Sequence, residues 1–377
     1  MTTTTQPSTD CLIFQDCLRD KRNEQQQQQG LNDKDNATTT NNSTTDDNVW
    51  AVDDEALSLM FFELANVRQV GYRIDASLLR HGTSETKKKK KRGRQQQQQH
   101  DDKLRKPNQE LTVTVQQDVT ACGNHTGGIV WETSYLLLNY LLLARRKKLG
   151  RVLEVGAGCG LLGKVLGKTR FCDTVIMTEH SDAFANLQAN NNNNKEGAND
   201  NTDRDSNCSS PSDPHCECFP LDWCEYQRDA SKTASLQSHS FDTIVGTDVV
   251  FTPSLVRPLL DTLLYMAHDQ TIVYLCLQIR CEDSHKLLMT PATEGRRWKV
   301  KDVSGKLQQH PECAWGLQME CHLLKLTIVN PSEGKAVEHS TDTAVNVQKE
   351  RKRKNGERPD CIKSTRRKKR TKTKQLS

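Results

Sequence analysis

The sequence is poor in apolar residues and lacks any long hydrophobic run. Only 34% of its 377 residues are hydrophobic, too few to pack the whole chain around a core, so part of it is expected not to fold. The opening residues MTTTTQPSTD contain neither a basic nor an apolar leader, which argues against a secretory signal. The longest apolar stretch, Tyr135 to Ala144, is about half of what a bilayer requires. A soluble intracellular protein, cytoplasmic or nuclear, is therefore expected, with no membrane partner. Fourteen cysteines are scattered along a long chain without a leader, a pattern that favours reduced thiols over a disulfide framework. His215, Cys216, Cys218 and Cys224 lie close together, but a CxC without a matching distal pair is poor zinc spacing, so no metal is expected. No nucleophile elbow is present either. The formal net charge of +5 is concentrated in runs such as Lys87 to Arg94 and Arg366 to Lys374, which excludes a uniformly basic nucleic-acid-binding face.

What is present divides into polar segments and patterned ones. Residues 1–48 are rich in Thr, Gln, Asn and Asp and read as disordered. Low-complexity sequence recurs at about 82–108 and 190–214, and both read as insertions because patterned sequence resumes on either side. Residues 332–377 read as a disordered basic tail, which leaves 49–331 as the folded domain. Within it, strand-like runs alternate with helical ones: RVLEV with LLGKVLGK, TVIMT with SDAFANLQAN, FDTIVGTDVVF with SLVRPLLDTLLYMAH, and TIVYLCLQI with EDSHKLLMTPA. Short apolar strands joined by amphipathic helices predict a buried parallel sheet in a doubly wound α/β layout. WKVKDV and CHLLKLTIV show no helical pattern between them and predict a closing antiparallel hairpin. VGYRIDASLL and LTVTVQQD alternate in period two and predict a small N-terminal β-extension. The segment from Val130 to Lys148 predicts a buried helix with a basic last turn.

The chemistry is concentrated at RVLEVGAGCGLLG. Gly156, Gly158 and Gly160 follow the first parallel strand, where a doubly wound sheet opens its ligand crevice, and glycine lets a ligand approach the backbone closely. Glu154 places a carboxylate before the turn. Glu179 ends the second strand about twenty residues further on, where an acid can accept both ribose hydroxyls of a nucleoside. The third glycine comes earlier than in the dinucleotide fingerprint and no phosphate-cradling lysine follows. A nucleoside with a cationic amino-acid end, such as S-adenosylmethionine, suits this pattern better than NAD or ATP.

VLEVGAGCGLLG resembles motif I of the class I, seven-β-strand methyltransferases. With VW before the first helix, LDW after the third strand and DVVF after the fourth, the chain resembles the methyltransferase-like 21 group, the family 16 protein-lysine methyltransferases, over roughly Leu57 to Pro331. The resemblance implies a Rossmann-like seven-stranded sheet and S-adenosylmethionine as cofactor. It implies that Glu154, Gly156, Ala157 and Gly158 line the methionine end, that Glu179 holds the ribose, and that Asp222 and Trp223 pack the adenine. Trp131 takes the family's tryptophan position near the cofactor, Thr247 and Asp248 lie where donor and acceptor meet, and Phe251 closes the D-x-x-[FY] motif. Plainer roles stay open for several of these: core tryptophans for Trp131 and Trp223, a helix cap for Asp248, packing for Phe251. Cys159 replaces the threonine commoner in GAGTG and puts one side-chain hydrogen bond in doubt.

The expected reaction is methylation of a lysine on a protein substrate, with Asp248 orienting the amine and Phe251 forming part of an apolar channel. Enzymes acting on planar nitrogens carry an (N/D)PP(Y/F) turn, whereas Asp248, Val249, Val250 and Phe251 contain no proline. Two alternatives remain: an inactive methyltransferase-like adaptor whose basic tail meets nucleic acid or chromatin, and an RNA or small-molecule methyltransferase. RKRK at Arg351 and RRKKR at Arg366 resemble a bipartite nuclear-import signal, and would equally form a solvated basic tail. The core itself is expected to act without nucleic acid, as a monomer.

Overall fold

The computed structural model describes residues 11–35, 52–79, 110–120, 126–196, 216–225, 236, 241–290 and 298–329. Two sheets organise them. The larger has seven strands: β4 (Gly150–Val155), β5 (Cys172–Glu179), β6 (Cys216–Pro220), β7 (Phe241–Thr247), β8 (Ala267–Gln278), β9 (Trp298–Asp302) and β10 (Cys321–Ile328), in the spatial order β6-β5-β4-β7-β8-β10-β9. The first five are parallel, and β10 pairs antiparallel with both β8 and β9. The chain runs outward from β4 on one side through β5 and β6, then returns beside β4 with β7. That reversal between β4 and β7 is the switch point at which such sheets bind ligands.

Strand parity places both cores. Val152, Val175, Val245 and Tyr274 face one side with α3 (Glu132–Asn139) and α4 (Leu161–Lys168). Leu153, Ile176, Ile244 and Val273 face the other with α6 (Pro253–Met266). Successive residues point to opposite faces, so strands covered on both sides must be largely apolar, and these are, with Glu154, Thr178 and Thr243 among the buried exceptions. α5 (Ser181–Glu196) and α7 (Glu282–Met289) follow β5 and β8. The predicted first-helix segment folds as α3 and continues through a wider turn, Tyr140–Arg145. One of its buried polar residues, Asn139, accepts from the Tyr72 hydroxyl at 2.7 Å and donates to the Glu312 carbonyl at 2.6 Å. Among the described residues no helix is long and apolar enough to cross a membrane, and no cysteine is in a disulfide.

Four boundaries differ from the sequence reading. The predicted closing hairpin is antiparallel, but a short helical turn, Ser304–Gln309, and α8 (Pro311–Gln318) stand between its strands. At 8 residues, that helix is too short to leave a clear periodic pattern. The fourth strand ends at Thr247, before the DVVF segment, because Asp248 takes a left-handed backbone (φ 50°) that no strand tolerates. The asparagine run begins inside α5: the buried Asn190 side chain accepts from the Gln116 amide at 2.7 Å and donates to its carbonyl at 2.9 Å. Residues 197–215, 80–109 and 330–377 lie outside the described residues, and with them most of the two insertions and the basic tail.

The largest correction concerns the N-terminus. Cys11–Ile13 forms β1, which pairs parallel with β2 (Gln69–Ile74), itself antiparallel to β3 (Leu111–Gln116). Phe14–Asp35 forms α1, alongside α2 (Asp54–Asn66). The signal lies in one short cluster, CLIFQDCL, diluted by the polar residues around it. Phe14 is fully buried, its ring 4.5 Å from that of Tyr135 and 5.8 Å from that of Trp315. Asp16 holds the Arg73 guanidinium through both nitrogens, and the Gln15 amide pairs with the Arg73 backbone in both directions at 2.9 Å. This extension docks on α4 through the buried Lys164, whose Nζ donates to the carbonyls of Thr114 (3.0 Å) and Asn190 (2.9 Å). Removing the Phe14 ring is expected to be costly: in chemical denaturation, Phe14→Ala should lose about 3–5 kcal/mol, whereas a segment lying loosely on the surface would lose almost nothing.

Candidate functional site

A cavity of about 350 Å³ opens at the C-terminal ends of β4, β5 and β7, within the range of roughly 300–1,000 Å³ common for small-molecule sites. Its floor is the glycine turn. Gly156 (φ 63°) and Gly158 (φ 55°) are left-handed, and a Cβ on Gly158 would stand 3.3 Å from the Gly127 carbonyl oxygen. The absence of side chains therefore serves two ends: the chain turns off β4 sharply, and the Thr126–Gly128 turn lies against it as a roof. Cys159 keeps that roof in place. Its thiol donates to the Gly128 carbonyl at 3.2 Å, so the bond placed in doubt by the threonine-to-cysteine departure is made by sulfur. Burial pushes this thiol up to about 12, which keeps it protonated.

The two acids flanking the glycines have opposite fates. Glu179 lines the cavity, one oxygen accepting from the Gly158 amide at 2.6 Å and the other from the His180 amide at 2.8 Å. Two backbone donors fix its plane while leaving lone pairs to accept hydroxyls. Glu154, expected at the methionine end, is absent from the lining. It is 2% exposed and lies beneath the first turn of α4, where Gly163 leaves room for its carboxylate. Burial pushes its carboxyl up to about 8, against the Gly163 amide, which favours the anion. Glu154 shares its parity with Val152, so the pleat aims it under the helix.

The remaining predicted residues converge. Ala157, Asp222, Trp223, Thr247, Asp248, Trp131 and Phe251 all line the cavity. Asp222 accepts from the Cys224 amide at 2.7 Å, which shapes the turn presenting Trp223, and the Trp223 ring passes beneath Gly156. Trp131 opens α3 and anchors its indole N–H on the Thr126 carbonyl at 3.0 Å. Neither tryptophan is merely core. Asp248 does not cap α6, whose N-cap is Thr252. Its left-handed backbone instead turns a 5%-exposed carboxylate toward Gln278, whose amide donates to it at 2.8 Å, and toward Arg280 at 3.0 Å. Phe251 is 39% exposed at the rim, consistent with a channel wall. Among the described residues no group of three His, Cys, Asp or Glu is placed to hold a metal.

Arg280, Glu132 and His180 were not singled out from the sequence. His180 follows Glu179 into the lining. Arg280 ends the strand-like run TIVYLCLQI, and a charged residue at the C-terminal end of a parallel strand was the available signal. Glu132 directly follows Trp131.

Residues 107–292 match the sequence model of a family described as lysine methyltransferase. That segment is similar to this family. The methyltransferase's sheet order, its glycine turn and the acid ending β5 agree with class I enzymes, whose cofactor is S-adenosylmethionine. No curated protein matches the chain. Among solved structures, a fibrillarin pre-rRNA processing protein of Methanococcus jannaschii shares 12% identity, covering 48% of this chain and 67% of its own, with a TM-score of 0.30. A plantazolicin methyltransferase in complex with SAH shares 11%, covering 52% and 83%, at 0.31. A fibrillarin/Nop5p complex shares 14%, covering 53% and 84%, at 0.34. Scores this low bear on neither the fold nor the substrate of this methyltransferase.

Glu179→Ala should weaken S-adenosylmethionine binding at least about tenfold in calorimetry, since a charge-assisted hydrogen bond is worth roughly 1.5–3 kcal/mol. Glu154→Gln should change affinity far less and stability more. The native carboxyl titrates at about 8 against an ordinary 4.5, so the folded state holds a proton that the unfolded state has released. Stability tied to that proton is complete below the ordinary value and lost as pH rises toward 8. The melting temperature of Glu154→Gln should therefore gain on the parent between pH 5 and 8.5, and a constant gap would contradict the placement of Glu154.

Proposed function

We propose that this methyltransferase modifies lysine side chains of a protein substrate. The observation that carries the reading is the charge and shape of the acceptor end: the carboxylates of Asp248 and Glu132 stand against a single guanidinium, with the Phe251 ring half-exposed beside them. Two acids and one cation leave a net negative wall, which attracts a cationic acceptor. The turn carrying Asp248 lacks the prolines that would set carbonyls against a planar nitrogen. The family match points the same way.

S-adenosylmethionine, when bound, supplies a methyl group on a cationic sulfur. The residues present suit it: Glu179 would accept the ribose hydroxyls, the bare backbone of Gly156 to Gly158 would take the amino-acid end, and Asp222 and Trp223 would flank the base. The protein's own contribution is alignment and exclusion of water. A lysine with an ordinary pKa of about 10.4 must shed its proton before its lone pair can attack, and the apolar passage past Phe251 and Val249 favours the neutral amine. Asp248 draws the ammonium in and orients the nitrogen, and bulk water takes the proton. With the amine neutral and aligned, the chemistry left to the bound cofactor would be transfer of its methyl group from sulfur to that nitrogen.

Incubated with labelled S-adenosylmethionine and a cell extract, the purified chain should label a discrete protein band. Asp248→Ala should reduce that label at least about tenfold while still binding the cofactor in calorimetry. Label recovered in RNA would replace this reading with nucleic-acid methylation. Tight cofactor binding without any label would replace it with an adaptor role.

A further inference from the structure

One side chain at the acceptor end has no part in the reaction just described, although three others depend on it. Arg280 leaves the C-terminal end of β8, and its Nη2 donates to Glu132 Oε1 at 2.9 Å and to Asp248 Oδ2 at 3.0 Å. Its guanidinium carbon lies 4.3 Å from the centroid of the Trp131 ring. The partners come from two other elements: Trp131 and Glu132 open α3, and Asp248 follows β7. Trp131 and Asp248 line the cavity, whereas Glu132 and Arg280 stand outside the lining.

We infer that Arg280 is a positioning residue: one guanidinium holds the carboxylates of Asp248 and Glu132 together and the Trp131 ring flat, and so sets the wall against which a cationic acceptor aligns. The inference rests on the methyl-transfer reading above. A planar guanidinium suits the task because its face stacks on the indole while its edge donates to carboxylates, two duties an ammonium cannot combine. The charges around it are closely balanced. Burial works against the Arg280 charge, but Asp248 and Glu132 outweigh it and hold its pKa above the ordinary value. Burial, and then Asp248, hold the Glu132 carboxyl above the usual carboxylate range, with Arg280 pulling it down. The thiols of Cys276 in β8 and Cys321 in β10 face the same pair, and burial drives both far up, so they stay neutral.

The consequence separates positioning from simple packing. Without Arg280 the two acids confront each other across one vacated nitrogen, and like charges at that distance take up a shared proton. The pair would then meet the acceptor with less negative charge. The defect comes from Glu132 as much as from the missing arginine, so removing the charge of Glu132 should repair it.

Three variants test this: Arg280→Met, Arg280→Met with Glu132→Gln, and Arg280→Lys. Each is measured by calorimetry with S-adenosylmethionine, by melting temperature from pH 5.5 to 9, and by label transfer into a cell extract over the same range. Arg280→Met should bind the cofactor within about threefold of the parent but transfer label at least about tenfold more slowly at pH 7, with a new loss of rate toward acid pH. The double variant should recover much of the rate and lose the acid limb. Arg280→Lys, which keeps a bridging cation without the flat stack, should fall between parent and Arg280→Met. The melting-temperature gap between double and single variants should widen as pH rises, because only the single variant loses a shared proton. Parent-like rates in Arg280→Met, or a double variant as slow as the single at every pH, would overturn the inference. A gap independent of pH would overturn the charge pairing. A parent that transfers no label while the gap behaves as described would overturn the acceptor role and, separately, the methyl-transfer reading.

Discussion

The hydrogen bond from the Gly158 amide to the Glu179 carboxylate sets the geometry on which the rest of the site depends. It ties the turn after β4 to the end of β5, beside the bond from the Ala157 amide to the Thr178 carbonyl at 2.9 Å. A turn with left-handed backbone leaves an amide without a partner, and a half-buried carboxylate needs donors; each satisfies the other. With the turn held down, the Thr126–Gly128 segment lies across it, the Cys159 thiol fastens that roof, and the Trp223 ring fits beneath Gly156. The cavity is what remains between them.

Three acids at this edge of the sheet do different work because their surroundings differ. Glu179 stays beside solvent with two amides on it and presents an accepting face. Glu154 is shut under α4, where burial favours its neutral form. Asp248 is fastened by the Gln278 amide and by Arg280, and each of its oxygens has a remaining lone pair for a hydrogen-bond donor. The negative wall is thus directional: its charge is held at a fixed point by a strand-end amide and a stacked guanidinium.

Much of this was legible in the residues. Short apolar runs alternating with amphipathic helices announced a parallel sheet covered on both faces, and the seven-strand order is the result. The glycine turn and Glu179 were found by their place at strand ends, and Trp223 and Asp248 through the resemblance to a methyltransferase family. Three features were not legible for physical reasons. The burial of Glu154 follows from strand parity, which a motif read as a string ignores. The N-terminal strand and helix rest on a few apolar side chains inside a polar region, so averaged composition hides them. Arg280 acts through Glu132 and Asp248, which lie 148 and 32 residues from it along the chain, and no local pattern encodes a contact of that kind.

By itself the sequence determined most strands and helices of the larger sheet, and where the backbone must lose its side chains, because periodicity and glycine act through nearest neighbours along the chain. Only the tertiary structure decided which of two flanking acids meets the cavity, that a terminal segment completes the N-terminal sheet, and that one arginine joins three partners. Those outcomes depend on burial and on charges brought together from distant positions, and both exist only once the chain has folded.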